Sequence, residues 1–214
     1  MGTVSPITTA EPRQTVSPGS VRSQLKRVAL SMAWFLVSPL VIAARIEARL
    51  FGPECGRAFS TGKELLALSP GLLGQHLRLA YYWSTCRDVS PDACFNIGSM
   101  LAYRDVSIGS GTVLGAHSIV GRADLGREVM IAARVSVVSG KYLHGRPSDR
   151  ARGLGGNAES EERVLIGDST WVGENAVIMA NVGQRCTVAA GAVVVRPAEA
   201  GSTLMGNPAR KVNL

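Results

Sequence analysis

A chain of 214 residues has room for one main domain and an appendage. Hydrophobic residues make up 46% of it, but aromatics only 5%, and glycines number 24; that usage suits tight turns and thin strands and argues against a helical core. The formal charge is +7, yet no Lys/Arg block of the nucleic-acid-binding kind is present, and the basic residues gather around an apolar N-terminal stretch and near the C-terminus, which excludes a nucleic-acid partner and suits a membrane surface and a phosphorylated cofactor.

Residues 1–20 are rich in Ser, Thr, Pro and Gly without periodicity and are expected to form a disordered tail. Residues 21–51 form the next unit. Val28 to Ala44 is an uncharged run, preceded by Lys26 and Arg27, followed by Arg45 and Arg49, and interrupted by Pro39. Its 17 residues lie at the lower edge for a span, and Pro39 would kink it. The favoured reading is an interfacial, membrane-associating helix; a single span, a secretory signal and a helix docked on protein remain open.

Residues 52–94 are expected to be a helical N-terminal region. Within it the helix signal covers 69–86, with Ser69 as N-cap and Pro70 at the first helical position. Leu72, Leu73, Leu77, Ala80 and Tyr81 share one face at helical spacing, and His76 reads as a surface residue. The cysteines, Cys55, Cys86, Cys94 and Cys186, form no CxxC pair and read as reduced thiols, with no metal expected.

From residue 97 an aliphatic residue followed by a small one recurs every six positions: Ile108-Gly109, Leu114-Gly115, Val120-Gly121, then Leu125-Gly126 and Ile131-Ala132. The pattern stops near Gly140 and resumes at Ile166-Gly167, Val172-Gly173, Val182-Gly183 and Val188-Ala189. Such a period means one short strand and one turn per unit, with the aliphatic side chain inside a prism and the small residue allowing the corner. Three units close one coil, and stacked coils pair through parallel ladders. The predicted fold is mainly β: a left-handed parallel β-helix over 95–196, of four to five coils, interrupted by a loop at 141–163. A C-terminal extension follows at 197–214, in which the stretch from Asn207 ends the solenoid and swings back over it.

The stretches VSIGSGTVLGAHSIVG, VLIGDSTWVGENAVIM and VAAGAVVVRPAEAGSTLMGNPARKV resemble the hexapeptide-repeat acyltransferases over about residues 95–212. Within that family, RVSVVSGKYLHGR followed by a loop is most similar to the branch that O-acetylates sugars in polysaccharide biosynthesis. The sequence departs from the maltose and antibiotic acetyltransferases in lacking their acidic and Asn context upstream of the histidine. The resemblance implies acetyl-CoA as co-substrate, a saccharide acceptor, and a homotrimer with its sites between chains. With the apolar helix, it places the protein at the cytoplasmic side, peripheral to or anchored at the inner face of the membrane.

O-Acylation needs a base beside a thioester, and an imidazole suits it. His144 opens the long interruption, where the family's catalytic histidine sits, and is the expected base. His117 lies within a repeat and is expected to decorate a face. In the charged, Gly-rich loop, Asp149, Glu161 and Glu162 are candidates to orient the imidazole or bind substrate. The resemblance implies a cofactor groove passing Gly173, Ala190 and Gly191, with Trp171 as a wall or a neighbour contact. Arg196, Arg210 and Lys211 are candidates for the cofactor phosphates by charge pairing. No Ser or Cys sits in a nucleophile elbow, so direct transfer is expected rather than an acyl-enzyme. The alternatives are transfer to an amine, serine acetyltransferase-like activity, a γ-type carbonic anhydrase, for which three clustered histidines are wanting, and a non-catalytic membrane scaffold.

Overall fold

The computed structural model describes residues 21–52, 56–139 and 163–213. Three helices cap one end of a β-helix: α1 (Val21–Phe51), α2 (Arg57–Ala67) and α3 (Gly71–Thr85). Helix α1 is continuous through Pro39 and packs on both α2 and α3. Ala33, Val37, Val41 and Ala44, spaced by four, four and three, form its buried stripe. Two guanidinium groups tie the same stretch to the rest of the fold. Arg45 donates to the Ser84 carbonyl (2.8 Å), and Arg104 donates to the Ala44 carbonyl (2.9 Å). The opposite face stays apolar and exposed through Met32, Phe35, Leu36, Ile42, Ile46 and Leu50.

The face expected for α3 is only half right. Ala80 and Tyr81 are buried, but Leu72 and Leu73 are exposed, and the interior positions go to Gly74, Arg78 and Leu79. The reason is polar. The carbonyls that end α2 need partners beyond the helix, and alongside backbone N–H groups Arg78, fully buried, donates to Leu66 O (2.9 Å) and Ser69 O (2.7 Å), and through Nε to Phe95 O (3.2 Å). Gly74 permits that approach, since a Cβ there would lie 2.0 Å from Ser69 O. Pro70, and not Ser69, stands at the N-cap. The aromatic rings of Phe59, Tyr81, Tyr82 and Phe95 plug the junction between cap and β-helix, with Tyr82 and Phe95 4.9 Å apart.

The β-helix has three parallel sheets, one per prism face. The first coil is β1 (Asp88–Val89), β2 (Cys94–Phe95) and β3 (Met100–Leu101), so the helix starts before the expected residue 95. Coil two is β4 (Ser107–Ile108), β5 (Val113–Leu114) and β6 (Ile119–Val120). Coil three is β7 (Ala123–Leu125), β8 (Met130–Ile131) and β9 (Ser136–Val137). Coil four is β10 (Val164–Ile166), β11 (Trp171–Val172) and β12 (Val177–Ile178). Coil five takes a bridge at Val182, β13 (Thr187–Val188) and β14 (Val193–Val194). A partial sixth coil has a bridge at Ala198 and β15 (Thr203–Met205), on which β16 (Arg210–Val212) folds back antiparallel, as the stretch from Asn207 led us to expect. The aliphatic residue of each unit points inward: Leu114, Val120, Val172 and Ile178 have no exposed surface, each contributing roughly 1.5–3 kcal/mol by burial.

The role expected for the small residues needs correcting. The corners turn two positions later, at left-handed residues that are often not glycine: His117, Arg134, Asn175 and Gly191 stack at one corner, and Gly111, Glu128, Ser169 and Arg185 at another. The glycine after the aliphatic residue serves coil-to-coil approach instead. A Cβ on Gly115 would lie 2.3 Å from the Ala132 carbonyl carbon, inside any allowed contact.

Candidate functional site

The chain leaves the β-helix after β9 and returns at β10, yet β7 and β10 pair directly, Val164 opposite Ala123. The coil stack is therefore continuous among the described residues, which break off and resume at the corner between the sheet of β9 and the sheet of β10. His144, Asp149, Glu161 and Glu162 lie outside the described residues, as do residues 1–20 and Cys55.

Both roots of that interruption are fastened. On the outgoing side the Arg122 backbone N–H donates to Ser139 Oγ (2.8 Å). On the returning side Arg163 pairs with Asp124 (3.0 Å) and with the Asp105 carboxylate, and donates to the Asp105 carbonyl (3.0 Å). Arg87 joins the same pair of carboxylates, through Asp105 at 3.3 Å and through Asp124. Two arginines thus flank two aspartates across four successive coils, each arginine pairing with both carboxylates. Single pairs at this exposure contribute little, but a network fixes geometry. Sequence reasoning missed this lattice; its only signal is that Arg87, Asp105 and Asp124 recur at the coil spacing.

The expected cofactor residues divide into two groups. Arg196, Arg210 and Lys211 come together at the far end of the β-helix, where they line a cleft of about 280 Å³ with Pro197, Ser202 and Ala209. Lys211 lies 4.0 Å from Glu199, and all three cations are exposed. The β16 return brings the last two onto Arg196. Trp171, Gly173, Ala190 and Gly191 lie outside that cleft. Trp171 stands outward on β11, 42% exposed, with Met130 beside it in register on β8. That face presents a short apolar stripe. Gly173 is buried and makes room for the next coil, its Cβ position being 2.6 Å from the Ala190 nitrogen. Ala190 and Gly191 form the exposed corner above it.

His117 is exposed and His76 is half-buried. His117 sits on a corner with its ring over Gly98. His76 Nδ1 is 2.8 Å from the Leu72 carbonyl. Among the described residues no group of three His, Cys, Asp or Glu side chains converges as a metal site, and Cys86, Cys94 and Cys186 are free thiols.

Residues 105–138 and 163–196 match the family model described as the hexapeptide repeat of succinyl-transferase. Protein YJL218W of Saccharomyces cerevisiae is 34% identical over 91 residues, covering 41% of this chain and 46% of that protein. The chain spans under half the length of the curated relatives it matches. Among solved structures, the hexapeptide-repeat containing acetyltransferase VCA0836 from Vibrio cholerae superposes with a TM-score of 0.61 at 19% identity, over 81% of this chain and 91% of that one. A maltose O-acetyltransferase from Clostridium difficile 630 follows at 0.60 and 17%, over 78% and 89%. At these identities the two structures establish a shared fold.

Proposed function

The chain carries the repeat and the fold of the hexapeptide-repeat acyltransferases, and on that premise we propose that it moves an acetyl group from acetyl-CoA to a sugar hydroxyl of a polysaccharide or lipid-linked saccharide. The observation that carries the reading is that the β-helix pauses at one corner, where Ser139 and Arg163 are both fastened to neighbouring coils, and that the sequence between them bears His144. In the proposed step His144 takes the acceptor's hydroxyl proton as the oxygen attacks the thioester carbonyl, and the thiolate of CoA leaves. Arg196, Arg210 and Lys211 supply three cations in one cleft for the cofactor phosphates. The outward stripe of Trp171 and Met130 suits contact with a second copy, and a homotrimer would place that stripe between chains.

The acceptor is tested with acetyl-labelled acetyl-CoA and a panel of free oligosaccharides, lipid-linked saccharides, amino sugars and serine. The expected product is a base-labile ester on a saccharide. Label found only as an amide, or only on serine, overturns the O-acetylation reading in favour of the amine or serine alternative.

Helix α1 bears on location. Val28–Phe51 is long and apolar enough to cross a membrane, and one stripe of it packs on α2 and α3, which supports a helix lying along its own protein. The exposed stripe from Met32 to Leu50 is continuous, and Arg45 and Arg49 close its end. This pattern suits a helix lying in the membrane interface, at the cytoplasmic side. Sedimentation with anionic vesicles is expected to carry the protein down, and Phe35→Glu with Ile42→Glu to leave it in the supernatant. Equal sedimentation of both proteins would contradict interfacial binding through this face.

A further inference from the structure

Three contacts fix how the helices of the cap run. Glu47, near the end of α1, accepts from the Ala58 N–H at the start of α2 (2.9 Å). Arg45 reaches the Ser84 carbonyl at the end of α3, and Tyr81 of α3 donates to the Phe59 carbonyl of α2 (3.0 Å). The end of α1, the start of α2 and the end of α3 therefore share one end of the cap. The opposite end gathers the end of α2, the start of α3 and the charge-free half of α1, whose Ala33 and Val37 are buried there.

The turn between α2 and α3 is apolar on the outside and bonded on the inside. From Leu65 to Leu77 the sequence has no Asp, Glu, Lys or Arg. Leu65, Leu68, Leu72 and Leu73 all stand outward, with Leu68 79% and Leu72 73% exposed. Ile97 is exposed beside them, because the Gly98 N–H donates to the Ala67 carbonyl (2.9 Å). Beneath the turn the carbonyls find partners within the protein. Arg78 serves Leu66 and Ser69, Gly98 serves Ala67, and the Gly74 N–H serves Pro70 (3.2 Å). A turn whose backbone bonds come from protein can leave water without losing them, which is the condition hydrocarbon sets. The four leucines around it are unfavourable in water and favourable in lipid.

We infer that the α2–α3 turn is a second membrane contact, with Leu65, Leu68, Leu72 and Leu73 entering the boundary between headgroups and acyl chains. The inference deepens the interfacial reading of α1 and rests on it for the membrane that the protein meets. Helix α1 also supplies the argument for lipid over a second copy of the chain. Val28–Phe51 is long and apolar enough to cross a membrane, and its charge-free half lies at the same end of the cap as the turn. One helix in the interface leaves the protein free to roll about the helix axis. A second apolar contact off that axis removes the roll and sets the β-helix, joined to the turn through Gly98 and Arg78, at one angle to the bilayer.

The test is photolabelling of the full chain on vesicles of phosphatidylcholine and phosphatidylglycerol that carry a phospholipid with a diazirine on its acyl chain. Trypsin then releases residues 28–45 and 64–78 as separate peptides, and mass spectrometry reads the label on each. The expected result is label on both. Leu68→Gln with Leu72→Gln, neutral so that attraction to the anionic lipid is unchanged, is expected to weaken vesicle binding at least about tenfold. Its unfolding midpoint should match the parent's, since both leucines are exposed. An unlabelled 64–78 peptide, or equal vesicle affinity in parent and double variant, overturns the inference; label on 28–45 then leaves the α1 reading standing. Label on 64–78 alone upholds the turn and overturns the α1 reading. Loss of self-association in the double variant, with vesicle binding kept, gives the leucines to a second copy and overturns the inference.

Discussion

His144→Ala is expected to lower acetyl transfer by ~10²–10⁴-fold, the usual contribution of a positioned general base, while the unfolding midpoint and acetyl-CoA affinity stay where they are. The separation follows from the fold. The coil stack is complete among the described residues, since β7 pairs directly with β10. An acyl-enzyme route would behave differently, because a side-chain nucleophile elsewhere would still form a covalent acetyl adduct in the variant. The readouts are steady-state turnover and mass spectrometry of the variant incubated with acetyl-CoA. Turnover within threefold of the parent, or an acetylated protein, would refute direct transfer with His144 as base.

Arg78→Leu is expected to destabilise the fold by at least about 3 kcal/mol, because it strips partners from several buried carbonyls at once. Leu66, Ser69 and Phe95 all lose the same guanidinium, and they belong to α2, the α2–α3 connection and the first coil. The cavity left beside Gly74 adds to the loss, since the backbone there is already in close contact. For a chain of this size the midpoint should fall by roughly 6–12 °C. Leu72→Ala, on the same helix and exposed, serves as control and should remain within about 0.5 kcal/mol of the parent. A drop below about 2 °C for Arg78→Leu would mean that water or a neighbour satisfies those carbonyls, and that Arg78 is not what joins the helical cap to the β-helix.

How much of this was legible in the sequence depended on what the residues report. Leu114-Gly115 and Val172-Gly173 announce coils, because an inward aliphatic and a glycine recur together. The opening strand of the first coil escaped, since Val89-Ser90 carries no glycine and the next core position, Phe95, is aromatic. The corner residues were misjudged because a left-handed Arg134 or Glu128 leaves no mark in composition, whereas the glycines mark close approach between coils. Arg78 drew no notice in the sequence, because its burial is compensated by carbonyls from three other segments. The same logic divides the site. Arg196, Arg210 and Lys211 lie close enough in the chain for charge alone to group them. Trp171 and Met130 do not, and only the stacking of one coil on the next brings them side by side.

The central claim is acyl-CoA chemistry on this β-helix, and thermal unfolding with and without acetyl-CoA tests it most directly. At about a hundred times its dissociation constant the ligand adds ~2.7 kcal/mol, a rise of roughly 5–10 °C, in the parent and in His144→Ala alike. A midpoint that neither acetyl-CoA nor any longer acyl-CoA moves would contradict the account and favour a non-catalytic scaffold.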